Sequence, residues 1–414
     1  MTSFAHTPRA IALLAGILYF VLLPPTAGAL DAAGVLDATQ VARLSEAHNP
    51  EVRAALARVA SARHASGLAE ESPHRTNVSV EGGPTFGFGG HVGGEVTLSA
   101  SRPIELGDKA AHRVAVAMAD ILEAEATLDE VRLRVRVEAI GVFASWLAAA
   151  DRARGADETA LLAQSVGASI TQRLAAGMAT RFDAQAAALT IARARLEASQ
   201  AQREVEILGT ELQLLLGLGA RPVAHLDYPT PSFPDLTTVI DRATATHGRV
   251  KAALAGVDAM RTRVRLAEAN AEGDIAIGGF TTVADDSALV GISVSWDLPT
   301  RDRSAKEVAA LTSGVDAAEA NVELVTRDLV RVLSSLWHRA NGHREHARQL
   351  SADVEPVLES TRLLLTSAID QGTATGAQLL GLLQERRALA NARIEADVNA
   401  RSAIMLLLAM SGAE

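Results

Sequence analysis

Val52-Arg53-Ala54-Ala55-Leu56-Ala57 returns as Val250-Lys251-Ala252-Ala253-Leu254-Ala255, and the elements that follow each copy come in the same order. Each copy reads as helix, strand hairpin, very long helix, Gly turn, helix. A period of roughly 195 residues is far too long for a solenoid repeat, so the chain is a duplicated half-molecule. The odd element in so helical a pattern is the hairpin, and it says where the molecule sits.

A length of 414 residues would allow two or three globular domains. Aromatics at 3% are too few for several large cores, while Ala is abundant throughout. That balance favours long helices packed closely along their lengths, and the Leu, Val and Ile content with helical periodicity argues against disorder.

The N-terminus reads as an export signal over residues 1–29. Arg9 is its charged part, Ile11 to Leu23 is an apolar run, and Pro24-Pro25 leads into the small-residue site Ala27-Gly28-Ala29. The run is too short to span a bilayer, so a removed signal is expected rather than an anchor. The chain contains no Cys, hence no disulfide and no thiol to carry a lipid. No other apolar run reaches about 18 residues, so any membrane contact must come from strands. The net charge of −10 becomes −11 once Arg9 is removed, 38 basic against 49 acidic residues. This argues against a nucleic-acid partner and suits either ordinary solubility or a path for cations.

Asn49-Pro50-Glu51 is a helix start, with a capping Asn, Pro at the first helical position and an acid in the first turn. The helix is expected to end near Glu71, at Ser72-Pro73. Alternating segments follow. Val78 and Val80 sit between polar neighbours, and after a Gly-rich loop so do Val96, Leu98 and Ala100. The second copy repeats the device with Ile275 and Ile277, then Val290, Ile292, Val294 and Trp296, joined at Asp285-Asp286. Strands are expected at about 76–83, 94–101, 274–283 and 289–297. Phe86, Phe88, Phe280 and Trp296 fall in these hairpins, and aromatic enrichment beside alternating strands marks the interfaces of a membrane barrel.

A Pro is expected to start each long helix, Pro103 in the first copy and Pro299 in the second. These helices would run to about Gln172 and Ile369, roughly 105 Å at the helical rise. Gly177 and Gly372 mark matching turns, and return helices follow over about 182–218 and 376–410. Each half then looks like one continuous rod paired with a rod in two pieces. Leu382, Leu389, Ala396, Ala403 and Met410 recur every seven residues as a packing seam, and the Ala-rich stretch from Ala184 to Ala198 gives the other return helix a thin wall. The first half covers 30–219, a Pro-rich crossover 220–234, and the second half 235–414.

Four strands cannot close a barrel, and lipid tolerates no open sheet edge. Two chains would give eight strands with a filled interior; three would give twelve and leave a bore. The expected fold is therefore mainly α with a membrane β-barrel: a cyclic trimer whose twelve-stranded barrel stands on a long α-helical barrel. A dimer stays open on strand count alone.

At this point the chain resembles the TolC-family outer-membrane factors. The resemblance is carried by Asn49-Pro50-Glu51-Val52, the duplicated hairpins, and Leu214-Leu215-Leu216-Gly217 echoed as Leu406-Leu407-Leu408-Ala409. Ser101 to Lys109, and Asp297 to Arg303 in the second copy, resemble the cobalt–zinc–cadmium efflux branch. The resemblance implies a homotrimer in outer-membrane lipid with a periplasmic helical tunnel. It implies a periplasmic adaptor and an inner-membrane pump, of the resistance-nodulation-division type, as partners. It places adaptor docking at the tip, on Arg173, Leu174, Gly177, Thr180 and Asp183 of the first copy and Gly372 and Thr375 of the second. Ala368 stands where Arg173 stands in the first copy, so the second tip departs from the pattern of the first. Many family members carry aspartates just past the second Gly; here those positions are Gln378 and Gly381, leaving Asp183 and Asp370 as candidate pore acids.

No catalytic constellation is present in the sequence, and no cofactor is expected. His343 and His346, one turn apart and near His338, are the nearest approach to a metal site, but they read as solvated helix surface. The expected function is a passive exit duct for efflux, with divalent heavy-metal cations as cargo. A duct for drugs or for type I secretion is the alternative within that class. A periplasmic coiled-coil adaptor or a metal-binding enzyme are alternatives outside it.

Overall fold

The computed structural model describes residues 36–71, 75–86, 92–222, 232–284, 287–296, 301–371 and 373–412. In chain order these form α1 (Ala38–His48), α2 (Pro50–Ala69), β1 (Asn77–Phe86), β2 (Val92–Ile104), α3 (Lys109–Ala175), α4 (Arg181–Leu216), α5 (Leu236–Thr246), α6 (Gly248–Asn270), β3 (Ile275–Ala284), β4 (Ser287–Trp296), α7 (Arg301–Gln371) and α8 (Gly376–Ser411). Each half carries the same six elements in the same order. The export signal, Phe88, Asp285-Asp286, Pro299, Gly372 and the side chain of Phe86 lie outside the described residues.

Local chemistry starts the helices. Asn49 accepts the N–H of Glu51 at 2.7 Å and Pro50 opens α2, as the sequence leads one to expect. Two short helices were not foreseen. The Asp37 carboxylate accepts from Gln40 N at 2.6 Å to begin α1, and Asp235 accepts from Thr237 N at 3.1 Å to begin α5. One expectation is corrected. Pro103 does not open the first long helix; it pairs with Ala276 inside β2, and α3 begins at Lys109. The Pro φ suits extended backbone near a strand end as well as a helix. The turn is made instead by Gly107 at φ +71°, where a Cβ would lie 2.6 Å from the Glu272 carboxylate. Lys109, almost fully buried, then bonds Asp274 at 2.6 Å and the Glu272 carbonyl, locking the strand–helix joints of the two halves together.

The four strands make one antiparallel sheet in the order β1-β2-β3-β4. Its faces are inverted relative to a water-soluble protein. Val78, Val80, Val96 and Leu98 share one face at 63%, 68%, 53% and 52% exposure, and Val290, Ile292, Val294 and Trp296 continue it. Small polar residues hold the sheltered face, where Ser79 bonds Ser99 at 2.7 Å and Thr97 bonds Thr282 at 2.8 Å. Apolar outside and polar inside is the pattern of a membrane barrel wall. Parity corrects a second expectation. Phe280 pairs across from Ser99 and Gly291, on the polar face, so it is no outward interface aromatic. Its ring fills the space above Gly291, where a Cβ would meet it at 2.5 Å.

The rods are built as the lengths require. Gly217, left-handed at φ +64°, ends α4 directly against His48, so α4 and α2 stack end to end beside α3. Gly412, at φ +70°, ends α8 beside Thr246 in the same way, with α6 beyond it. Across the half near the sheet the helices lie α2-α3-α6-α7, and across the distal half α4-α3-α8-α7. The core is a line of narrow contacts. Phe143, Trp146, Leu212 and Leu216 fill the middle of the molecule, and Val166, Ile170, Ala187, Ala194, Leu365, Leu379 and Leu383 fill the distal part. The expected α8 seam holds at Ala396, Ala403 and Met410 but not at its start: Leu382 is 37% exposed, while Leu379, Leu380 and Leu383 are buried. The crossover docks firmly at its end, with the Phe233 ring tilted against Trp337, centroids 5.3 Å apart, and the Trp337 indole N–H donating to the Pro234 carbonyl at 2.9 Å.

Candidate functional site

The distal tip is where both helical hairpins turn. In the first, the N–H of Gly177 reaches Leu174 O at 3.0 Å and that of Met178 reaches Arg173 O at 2.7 Å, the paired bonds of a Schellman ending. Gly177 takes φ +75° with open space around it, so conformation alone requires glycine there. Gly177→Ala is expected to cost about 1 kcal/mol from left-handed strain and to show as faster amide exchange confined to residues 173–180. Thr180 then caps α4 in a reciprocal box with Asp183. Thr375 caps α8 likewise, with Gln378 in the place of Asp183.

Arg173 does something the sequence did not disclose. It is only 8% exposed, and its guanidinium donates to the carbonyl of Ala374 and, at 2.8 Å, to that of Ala368. Ala368 is its own counterpart in the second copy. One Arg therefore clamps the first hairpin tip to the second, inside the apolar cluster that includes Ile170, Leu365 and Leu379. The expectation that Arg173 lies on a docking surface is corrected, because a guanidinium spent on buried carbonyls is not offered to a partner. The residues that are offered are Met178, 74% exposed, and Phe182, 81% exposed. Phe182 starts an exposed seven-residue line through Leu189 and Leu196 along α4. Neither Met178 nor Phe182 was singled out from the sequence, although that spacing was there to be read. Leu174 is half-buried, and Thr180 and Thr375 are exposed.

The candidate acids differ in kind. Asp183 is held by the N–H of Thr180 at 3.0 Å and its hydroxyl at 2.7 Å, which keeps its carboxyl below the ordinary range. Its Cβ also sits 3.1 Å from where a side chain on Gly376 would begin, so it packs between the hairpins as well as capping. Asp370 is exposed on the last turn of α7. Farther from the tip, Arg152 pairs bidentately with Glu395 at 2.6 and 3.0 Å, and Arg401 meets Asp151 at 2.8 Å, tying α3 to α8. Mutual hydrogen bonding lowers the Glu395 carboxyl and raises the Arg152 guanidinium. His343 is half-buried and His346 exposed on α7; no group of three or more His, Cys, Asp or Glu able to hold a metal ion occurs among the described residues.

Residues 41–218, the first half, match the family of outer membrane efflux proteins. Over that stretch, less than half of its length, the chain is similar to that family. It is 26% identical over 309 residues to the cobalt-zinc-cadmium resistance protein CzcC of Cupriavidus metallidurans, covering 72% of each chain. The fold matches a crystal structure of a membrane protein from Pseudomonas aeruginosa with a TM-score of 0.72 at 18% identity, over 91% of both chains. It also matches CusC, solved in a study of transmembrane channel formation, at 0.71 and 14% identity over 91% of this chain and 92% of that one. The second half, beyond the family match, is therefore covered by fold.

Proposed function

We propose that three copies of this chain close into the exit duct of a tripartite efflux system that carries divalent heavy-metal cations out of the cell. The observation that carries the assembly is the pair of open edges. β1 and β4 end the sheet, while the α4–α2 rod and α7 end the helical layer on the same two sides. Both helical edges carry exposed apolar residues: Phe182, Leu189, Leu196 and Ile207 on α4, and Leu324, Val357 and Leu364 on α7. β1 runs away from the tip and β4 towards it, so pairing β1 with the β4 of the next copy preserves antiparallel alternation. One head-to-tail contact thereby satisfies sheet and helices together, and such a contact makes a ring when the rotation between copies closes. Twelve strands leave a bore where eight would not.

The cargo reading is supported by the CzcC relative and by charge. The polar face of the described strands carries Glu81 and Glu95 and no basic side chain. An acidic lining favours cations. The exposed Met178 and Phe182 at the periplasmic tip, together with Leu174, Gly177, Thr180 and Thr375, are the surface for an adaptor and its inner-membrane pump. Two measurements test the proposal. The native mass of the purified protein in detergent is expected to be that of three processed chains. A deletion strain is expected to lose growth selectively on zinc, cadmium and cobalt. Sensitivity to organic toxicants alone would retain the duct and discard the metal cargo.

A further inference from the structure

One charged side chain stands on the apolar face of the sheet. Alternation along β2 puts Val92, Val96, Leu98, Ala100, Arg102 and Ile104 on that face, and Arg102 is exposed with them. The register places Ile277 and then Val294 across from Arg102, and places Ile104, Ile275 and Trp296 in the next row towards the helices. Among the described strand residues, no carboxylate shares the face: Glu81 and Glu95 lie on the other one. No ion pair or side-chain hydrogen bond involves Arg102 among the described residues. Its contrast with Arg113, bound bidentately to Glu105 a few residues on, is sharp.

Position decides what meets this charge. β2 is an interior strand, flanked by β1 and β3 of its own chain. A neighbouring copy joined at β1 or β4 does not reach it, so the occupant comes from the membrane. Ten residues separate Arg102 from Val92. At the strand rise that is about 34 Å, and with a tilt near 40° it spans roughly the 25 Å height of a barrel's apolar band. Arg102 therefore marks the border of the band on the helical side, and Trp296 stands one row beyond, where amphipathic aromatics settle. A guanidinium at that depth turns its head out of the hydrocarbon and presents a planar fork of donors at the level of the headgroups.

We propose that Arg102 binds the phosphodiester headgroup of a glycerophospholipid in the periplasmic leaflet, one site per chain, and so fixes the depth of the barrel. The inference rests on the outer-membrane reading and adds to it a specific lipid contact. The test uses the purified, assembled protein in mild detergent, titrated with dioleoylphosphatidylglycerol and followed by native mass spectrometry. Up to three retained lipids per assembly are expected. Arg102→Ala is expected to weaken retention about tenfold, and Arg102→Lys to keep part of it, because Lys supplies the charge without the fork. Dioleoylglycerol, which lacks the phosphate, is expected to bind no better to the native protein than to Arg102→Ala. Equal retention of phosphatidylglycerol by the native protein and Arg102→Ala would overturn the proposal, as would equal retention of the phosphate-free lipid. The assembly mass is read in the same spectrum, so a failure of the trimer is seen separately from a failure of the site.

Discussion

Replacing Arg173 with Glu is expected to part the two hairpin tips while leaving the rest of the molecule assembled. The native guanidinium satisfies the carbonyls of Ala368 and Ala374 from within an apolar cluster. A hydrogen bond from a charged donor contributes about 1.5–3 kcal/mol, so truncation to Ala should cost about 3 kcal/mol locally. Glu should cost more, since it sets a carboxylate against two carbonyl oxygens with no donor between them. Lys should fall between, because a point charge cannot bridge both carbonyls as a planar fork does. Two readouts check this. Limited proteolysis of Arg173→Glu should cut within 173–180, where the native protein resists. Conductance in planar bilayers should rise, because in the proposed duct these tips are the distal end of the conduit. A variant with native protease resistance and native conductance would show that the clamp does not hold the tip together.

Much of the architecture was legible because it rests on periodicity. The duplication, the alternating strands and the rod lengths each follow from spacing, and the two stacked rods at Gly217 and Gly412 realise the length argument. What spacing does not give is direction. Arg173 has the residue type of a docking contact, but whether its side chain leaves the tip or enters it depends on the second hairpin, nearly two hundred positions away in sequence. Phe280 shows the same limit on a smaller scale, since aromatic composition marks a barrel without saying which face each ring takes. A single step in strand parity moves Phe280 to the polar side, where Gly291 makes room for it. Pro103 misled because its fixed φ serves a strand end as well as a helix start. The helices α1 and α5 were missed although Asp37 and Asp235 are good caps and both helices are amphipathic, because each has only 11 residues.

The duplication also exposes a pH-dependent joint, and His247→Asn is expected to abolish its response to acid. Asn49 caps α2 by accepting from Glu51 N at 2.7 Å; His247 stands in the same place in the second half and accepts from Arg249 N through Nδ1 at 3.2 Å. His247 is 7% exposed. Its surroundings include Glu130 and Arg134 from α3 and the apolar Leu329 and Met410 from α7 and α8; Arg249, which also approaches Glu130 and Asp328, adds positive charge. Burial foremost, and then Arg249, lowers the imidazole below its ordinary titration range. The sign follows from linkage. The unfolded chain binds a proton near pH 6.5 and the folded one resists it, so stability is full above that pH and is lost as pH falls below it. An imidazolium has no lone pair for the Arg249 N–H and places a positive charge at a helix N-terminus, so the whole cap is lost, about 1 kcal/mol or more. Amide exchange over residues 248–252, corrected for intrinsic rates, should quicken about fivefold between pH 7.5 and 5.5 in the native protein. In His247→Asn the same amides should be unaffected, because Asn accepts at both pH values, as Asn49 does. An equal acid response in both proteins would place the titrating group elsewhere, and equal protection throughout would mean that the joint does not open with acid at all.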